Sequence, residues 1–559
     1  RVTGVDDDGK KVYTAYEYDK NGNTIKVITG NGKNVMEYKY DGLDRVIKIT
    51  YPSGKSETYE YDAEGNVSGK TDRNGVKMTY EYNSLGKVTL EKGEKGRKTE
   101  VRSYEYAGTG AVTRMTNENT EVSYTYNSYG LPAAEKYKAD GVCYMGFYTY
   151  DGRGNRKSFK LYQGKVTGFE KLDSDDVKLS MSYEYDGRNR MTAVRGYDWE
   201  GKRTETLASY AYDLNGNRIR TAYGNGIVTE YTYNKANLVT GLINKRGGTV
   251  VSSYNYEYNY DGNQIKKSDN KGNVTSYTYD GLGRLKCESL SSRTAGTLIK
   301  SYGYDMSGNR KSLTVTGKEN YVTEYTYDAD NRLEREKTTY KDGNIDVSDY
   351  LYDGNGNQIK RIKGKSKAAF RGRTALGIKT EEELKGEYEI REYGLFNQLR
   401  EIRDGRDRVS YSYKPDGLRL SKTVNGVRTG FVWDNGNIIE TTDGNGNPTG
   451  IYKYGLGRVS DNKRNYYIYN AHGDVTGLTD SAGNIVREYE YGAFGMEVSK
   501  DSNDTNPFRY CGEYYDNETE SIYLRARNYD PGMGRFTSED PARDGLNWYA
   551  YCGNNPVMF

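Results

Sequence analysis

Pairs of tyrosines one residue apart recur along this chain, and most are followed by a cluster of turn-forming residues. Ser276–Leu285 shows the unit: Ser-Tyr-Thr-Tyr-Asp-Gly-Leu-Gly-Arg-Leu. In an extended segment Tyr277 and Tyr279 point to one face. Tyrosine and threonine suit a pleated, half-buried surface. Asp280 can bond its own backbone, and Gly281 and Gly283 can take left-handed conformations. Arg284 and Leu285 begin a return strand. The unit predicts strand, turn, strand. One such hairpin is marginal in water. The pairs run from Tyr16/Tyr18 and Tyr38/Tyr40 through Tyr350/Tyr352 and Tyr411/Tyr413. Their step is mostly about 19–27 residues, a period that signals a repeat array in which each unit packs on its neighbours.

This pattern resembles the YD repeat of the Rhs family, which runs Tyr-x-Tyr-Asp-x-x-Gly-Arg/Asn-hydrophobic. The resemblance covers most of the chain. It implies an all-β protein: a long spiralling antiparallel sheet of hairpins that forms a hollow shell, with a C-terminal core or plug.

Composition agrees with a wall better than with a solid body. The chain has 559 residues, among them 60 Tyr and 67 Gly. Counted without tyrosine and with glycine, the apolar share is about 35%, against about 45–50% in ordinary globular chains. Thirteen per cent aromatics in a regular strand pattern argue against disorder. A large sheet, wet on at least one face, satisfies both facts. The net charge of +3 gives no global attraction to nucleic acid or to an anionic membrane. No run of about 18 apolar residues predicts a membrane span. The four cysteines, Cys143, Cys287, Cys511 and Cys552, lack Cys-x-x-Cys spacing, so zinc and thioredoxin-type readings fail. Cys511 and Cys552 lie in one region where they could meet. A single histidine, His472, excludes a multi-histidine metal site and leaves little room for Ser-His catalysis. No cofactor is expected, and His472, beside Gly473 and Asp474, reads as a structural turn residue.

The expected organisation has four parts. Residues 1–360 form the repeat array, with an extra hairpin at 156–180 where Tyr150 and Tyr185 are widely spaced. Residues 361–387 form a basic insertion, with Lys363, Lys365, Lys367, Arg371 and Arg373 followed by a short helix over Thr374–Glu387. Residues 388–500 are divergent repeats of the shell. Residues 501–559 carry the most specific signature. Asp353-Gly-Asn-Gly-Asn and Asp443-Gly-Asn-Gly-Asn resemble calcium loops but lack the twelfth-position glutamate, so they read as polar turns. The chain opens at Arg1 inside a strand-like pattern and reads as a piece of something longer.

The last part contains Asn506-Pro-Phe-Arg-Tyr-Cys-Gly-Glu-Tyr-Tyr-Asp516, Tyr523-Leu-Arg-Ala-Arg-Asn-Tyr-Asp-Pro531 and Gly534-Arg-Phe-Thr-Ser-Glu-Asp-Pro541. It is similar to the Rhs-associated core domain. Arg525, Arg527 and Arg535 alternate with Asp516, Asp530 and Asp540, and aromatics such as Phe536 lie between. Such charges can be buried if they satisfy one another. The resemblance implies a container for the chain's own C-terminal toxin, acting in competition between bacteria, secreted or at the cell surface, rather than a diffusible enzyme. It also implies self-cleavage in a longer parent. Asp540, before Pro541, matches one family aspartate, and the second expected Asp-Pro-x-Gly-Leu element would lie beyond Asn555-Pro556. An aspartyl mechanism needs two carboxylates sharing a proton. A turn aspartate paired with Arg535 or Arg543 is the alternative. Secretion machinery and surface glycans are further candidate partners. A carbohydrate-binding or adhesion protein is the rival function, and it requires free tyrosine faces on the outer wall.

Overall fold

The computed structural model describes residues 2–5, 11–139, 141–164, 177–197, 204–293, 296–367, 388–498 and 500–558. Forty-one strands, Ala15–Tyr18 through Ile485–Glu488, form one antiparallel sheet in which each strand pairs with those before and after it in the chain. Among the described residues the helical segments are the short turns Gly30–Gly32, Tyr510–Gly512 and Tyr551–Asn554. A separate four-stranded sheet, Tyr514–Asp516, Ser521–Tyr523, Asn528–Asp530 and Arg535–Phe536, follows the large one.

The motif residues each have a job in this sheet. Asp280 Oδ1 accepts the amides of Leu282 (2.9 Å) and Arg284 (3.0 Å), and Oδ2 accepts Arg284 Nε (2.6 Å). Gly283 takes a left-handed φ of +76°, which a residue with a Cβ adopts only at a cost. The turn throws one extra residue into the ladder beside Tyr279. The Arg284 guanidinium then stacks over Tyr304 of the next repeat at 4.7 Å and donates to the Asp305 carbonyl at 3.1 Å. The Tyr304 phenol donates back to the carbonyl of Leu285 at 2.8 Å. Tyr279 does the same to Gln264 at 2.6 Å. Equivalent phenol bonds run from Tyr40 to Thr24, Tyr61 to Val46, Tyr212 to Met191 and Tyr327 to Arg310. They continue past the last regular pair of the sequence pattern, from Tyr454 to Ile438, Tyr469 to Arg458 and Tyr491 to Val475. The divergent repeats therefore keep the same staple.

The ribbon winds on itself. Asn74 of one turn bonds Asp353 at 3.0 Å, Asn117 bonds the Tyr413 carbonyl at 2.9 Å, and Asn34 bonds Asn331 at 2.9 Å. Twenty-three strands, Lys77–Tyr82 through Asn344–Tyr352, separate the Asn74 turn from the Asp353 turn that lies against it. At about 4.8 Å per strand this makes a circuit of about 110 Å and a wall about 35 Å across. Successive circuits are joined by side chains rather than by a backbone ladder. The protein exposes 28098 Å2, whereas a solid body of 63.4 kDa would expose about 20,000 Å2. Both faces of the wall are wetted, as in Lys77–Tyr82, where no side chain is fully buried. This is a hollow shell.

From Arg419 onward the ribbon folds inward. Leu420, Val432, Ile439 and Val459 pack face to face on Phe159, Leu179, Leu207 and Tyr210 of the wall. Residues 489–555 then touch points along about half of the circuit: Asn263 by Asn555, Tyr302 by Phe494, Asn331 by Arg535 and Arg419 by Asp516. One short segment can reach all of these only from inside the bore. Tyr302 and Tyr352, met by Phe494 and Tyr549, belong to Tyr-x-Tyr pairs, so that face lines the bore. The residue between them, such as Glu184 or Glu257, pairs with a neighbouring strand's base on the outer wall.

Two sequence expectations are corrected. Arg156–Gly164 pairs with both Val142–Tyr150 and Val177–Tyr185, so it is an ordinary return strand and not part of an extra hairpin. The added length goes into longer strands and the connection at 165–176, which lies outside the described residues. Gln358–Lys367 is also a strand, laddered to Asn344–Tyr352, so Arg361 and Lys363 belong to the wall rather than to the insertion. The expected helix at Thr374–Glu387 lies outside the described residues. The Asp443 carboxylate is taken up by its own turn, accepting from the amides of Asn445 and Asn447 and from the Asn447 side chain.

Candidate functional site

The plug is held by charge pairs that run from it to the wall. Asp516 is fully buried and accepts Arg419 Nη1 at 2.7 and 2.9 Å and Lys422 Nζ at 3.0 Å. Arg419 lies 3.9 Å from the centre of the Tyr523 ring. Burial alone would raise the Asp516 pKa; Arg419 and then Lys422 outweigh it and hold the carboxyl below its usual range. Arg535 donates to the Asn331 carbonyl at 2.6 Å and stacks on Tyr327 and Tyr549. Arg525 bonds the Gly436 carbonyl and Glu513, both at 2.8 Å. Asp530 caps the turn that contains Pro531, accepting the amides of Gly532 and Met533, and stands 3.8 Å from Arg361 of the wall. Gly534 has φ +67°, and a Cβ there would sit 2.3 Å from Arg310 Nη2. Phe536 packs on Tyr529 and Tyr551 in the plug's own core. The alternating Arg and Asp residues thus pair mostly with the wall instead of with one another; Arg527–Asp540 is the exception.

Asp540 faces a cavity of about 650 Å3 between plug and wall, which Glu57, Arg73, Glu91, Arg102 and Pro541 also line. Its Oδ2 lies 3.5 Å from Arg527 Nη2, and its Oδ1 accepts the Ala542 amide at 3.0 Å. The expected partners were Arg535 and Arg543. The backbone carries Arg535 toward Asn331, and Arg543 reaches Glu57 at 2.6 Å. Burial would raise the Glu57 pKa, but Arg543, Lys70 and Tyr59 bring it down to about 2. Glu539, next to Asp540, is buried and bonds Arg73 Nη1 at 2.9 Å; burial raises its pKa despite Arg73. The two adjacent carboxylates are engaged by different bases. Among the described residues, no second carboxylate shares a proton with Asp540. The geometry therefore offers one held acid at the edge of a polar cavity and no completed aspartyl pair.

Sequence reasoning missed the arginines beneath the inturned ribbon. Arg156 pairs with Asp434 at 2.7 Å, Arg310 lies 4.1 Å from the Phe494 ring, and Arg458 donates to the Gly512 carbonyl at 2.9 Å. With Arg218 and Arg419 they occupy the motif's hydrophobic position, which Leu285 fills in the unit above. Gly154-Asn-Arg156, Gly216-Asn-Arg218 and Gly308-Asn-Arg310 carry the signal. In these three repeats asparagine takes the Arg284 position, and the arginine one residue on points into the bore.

A tyrosine-stapled β-ribbon, wound into a shell and closed from within by its own C-terminal segment, is the class of protein that this arrangement defines. The RHS repeat model matches residues 40–77, 61–98 and 258–297, and the teneurin YD-shell model matches residues 455–557. The chain thus carries repeats of the RHS type in its array and a segment of the YD-shell type at its end. A stretch of 166 residues is 40% identical to the tRNA nuclease WapA of Bacillus subtilis strain 168; it covers 27% of this chain and 7% of that protein's length. The crystal structure of TcdB2-TccC3-TEV superposes with a TM-score of 0.72 over 98% of this chain and 31% of its own, at 18% identity. The Tc holotoxin pore of Photorhabdus luminescens gives a TM-score of 0.70 over 99% of this chain and 29% of its own, also at 18% identity. These two structural likenesses speak to the fold. Among the described residues no helix is long and apolar enough to cross a membrane.

Proposed function

We propose that this chain is the wall and plug of a container that holds a C-terminal toxin and delivers it in competition between bacteria, from a secreted or surface-bound parent. The observation that carries the reading is the plug. It touches the wall at Tyr51, Tyr302, Tyr352 and Arg419 from inside the bore, so the shell is closed at one end by its own chain. The inward tyrosine faces support it, since a glycan-binding or adhesion surface would need them outside. The named activity of WapA supports a toxic cargo, although the aligned stretch is a small share of that protein. A shell of this kind does no chemistry on a diffusible substrate.

The test is protection. The chain is expressed with the coding sequence that follows residue 559 in its gene, and that following segment is challenged with protease. It should be cut slowly while the shell is intact and fast once denaturant opens it. Equal cutting rates in both states would end the container reading. For Asp540 we propose a part in releasing the cargo by self-cleavage, with the second carboxylate supplied from beyond the described residues. Asp540→Asn in the same protein should leave the chain uncut. Unchanged processing removes that role.

A further inference from the structure

Spacing along the chain excludes a zinc motif, yet the fold gathers metal-ligating atoms from distant positions. His472 and Asp474 lie on the turn between Tyr466–Tyr469 and Val475–Thr479, and Cys511 lies on the short turn Tyr510–Gly512 of the plug. His472 Nδ1 is 2.9 Å from Asp474 Oδ1 and 3.9 Å from Cys511 Sγ. The three ligand atoms all lie within 4.8 Å of one another. Tetrahedral zinc, with bonds of about 2.0–2.3 Å, would set such donors about 3.3–3.8 Å apart, so the closest pair opens by about half an ångström and a pair at the 4.8 Å limit closes by about 1 Å.

A nucleophilic Cys-His-Asp relay fits these positions poorly. A relay uses opposite ring nitrogens, one for the orienting carboxylate and one for the nucleophile. Here the same nitrogen, Nδ1, faces both the carboxylate and the sulfur. Donors that converge on one point are the arrangement of a metal centre. The carboxylate is also oriented from outside the cluster: Asn470 Nδ2 donates to Asp474 Oδ2 at 2.7 Å, and the Cys511 amide donates to Oδ1 at 3.0 Å. Such outer bonds hold ligands in place at metal sites. Imidazole, carboxylate and thiolate together suit zinc better than calcium or magnesium, which prefer oxygen alone.

We propose that His472, Asp474 and Cys511 bind a zinc-like divalent cation that ties the ribbon's last turns to the plug. The fourth position falls to a neighbouring group or to water. The cation joins residues 37 to 39 positions apart in sequence and locks the closing segment onto the wall.

The test uses the full chain, stripped with a chelator and titrated with cobalt(II) alone. The expected result is one bound equivalent with a thiolate-to-cobalt charge-transfer band. Cys511→Ser should abolish the band, and Cys287→Ser should keep it. Zinc should raise the thermal midpoint of the parent and leave that of Cys511→Ser unchanged. Should Cys511→Ser fail to fold, Asp474→Asn serves instead, with cobalt affinity lowered by about ten-fold or more. No band at saturating cobalt, or a band that survives Cys511→Ser, overturns the site. So does unaltered affinity in Asp474→Asn.

Discussion

The phenol of Tyr304 donates to the carbonyl of Leu285 at 2.8 Å, and this bond joins one hairpin to the next. Leu285 opens the return strand of one repeat, and Tyr304 closes the outgoing strand of the following one. The same relation recurs through Tyr491 and Val475, so the sheet is knitted by side chains as well as by its ladder. Tyr304→Phe keeps the ring under Arg284 and removes only the donor. We expect a loss of about 1–2 kcal/mol in denaturant unfolding. Tyr302→Ala, which empties a buried site against Phe494, should cost about 3–5 kcal/mol.

The Arg419–Asp516 pair anchors the plug. Asp516→Ala leaves Arg419 buried without its counter-charge, and the expected cost is about 3–5 kcal/mol. The acid dependence has a definite sign. The folded Asp516 carboxyl lies below its unfolded value, near 3.9. Its contribution is therefore whole above about pH 4 and fades as pH falls through the folded value. Unfolding curves between about pH 2 and 5 should be flatter in Asp516→Asn than in the parent.

Glu440 behaves in the opposite way. Both carboxylate oxygens are buried without a hydrogen bond, and burial pushes its pKa up to about 8, with Lys178 opposing. The folded state holds this proton where the unfolded chain has lost it. Stability therefore falls as pH rises from about 4.5 to 8. At pH 7 the burden is on the order of 3 kcal/mol. Glu440→Gln should unfold at higher denaturant than the parent at pH 7.5, with the difference closing toward pH 4.5. A difference independent of pH would contradict the burial of an ionisable group there.

Gly534 is required by position. Its φ of +67° strains any residue with a Cβ, and an added Cβ would press on the Arg310 guanidinium. Gly534→Ala should loosen the plug before the wall. Hydrogen exchange should rise across Asn528–Asp530 and Arg535–Phe536 while Val274–Tyr279 stays protected. Uniform loss of protection would show that plug and wall unfold together.

The closing segment shows where sequence reading reaches its limit. Asp540 was legible as a turn aspartate, but its partner was not. Arg527, Arg535 and Arg543 all lie near it in sequence, and only the path of the backbone sends the latter two to Asn331 and Glu57. Arg156, Arg218 and Arg310 stand in Gly-Asn-Arg triplets, but the common place of all five arginines under the inturned ribbon was not legible. His472, set aside as a turn residue, does sit in a turn; Cys511 reaches it through the plug's fold across 39 residues.

What the sequence determined by itself is the repeat: tyrosines two apart, an aspartate that caps its own turn, a glycine free to turn left-handed, and a base that reaches the next copy. These contacts span one or two strands, so local spacing encodes them. The tertiary structure decided the rest: how many strands make a circuit, where the ribbon turns inward, and which wall charge meets which plug charge. Those depend on the twist summed over many strands, and partners more than two hundred residues apart, such as Arg73 and Glu539, leave no trace in local spacing.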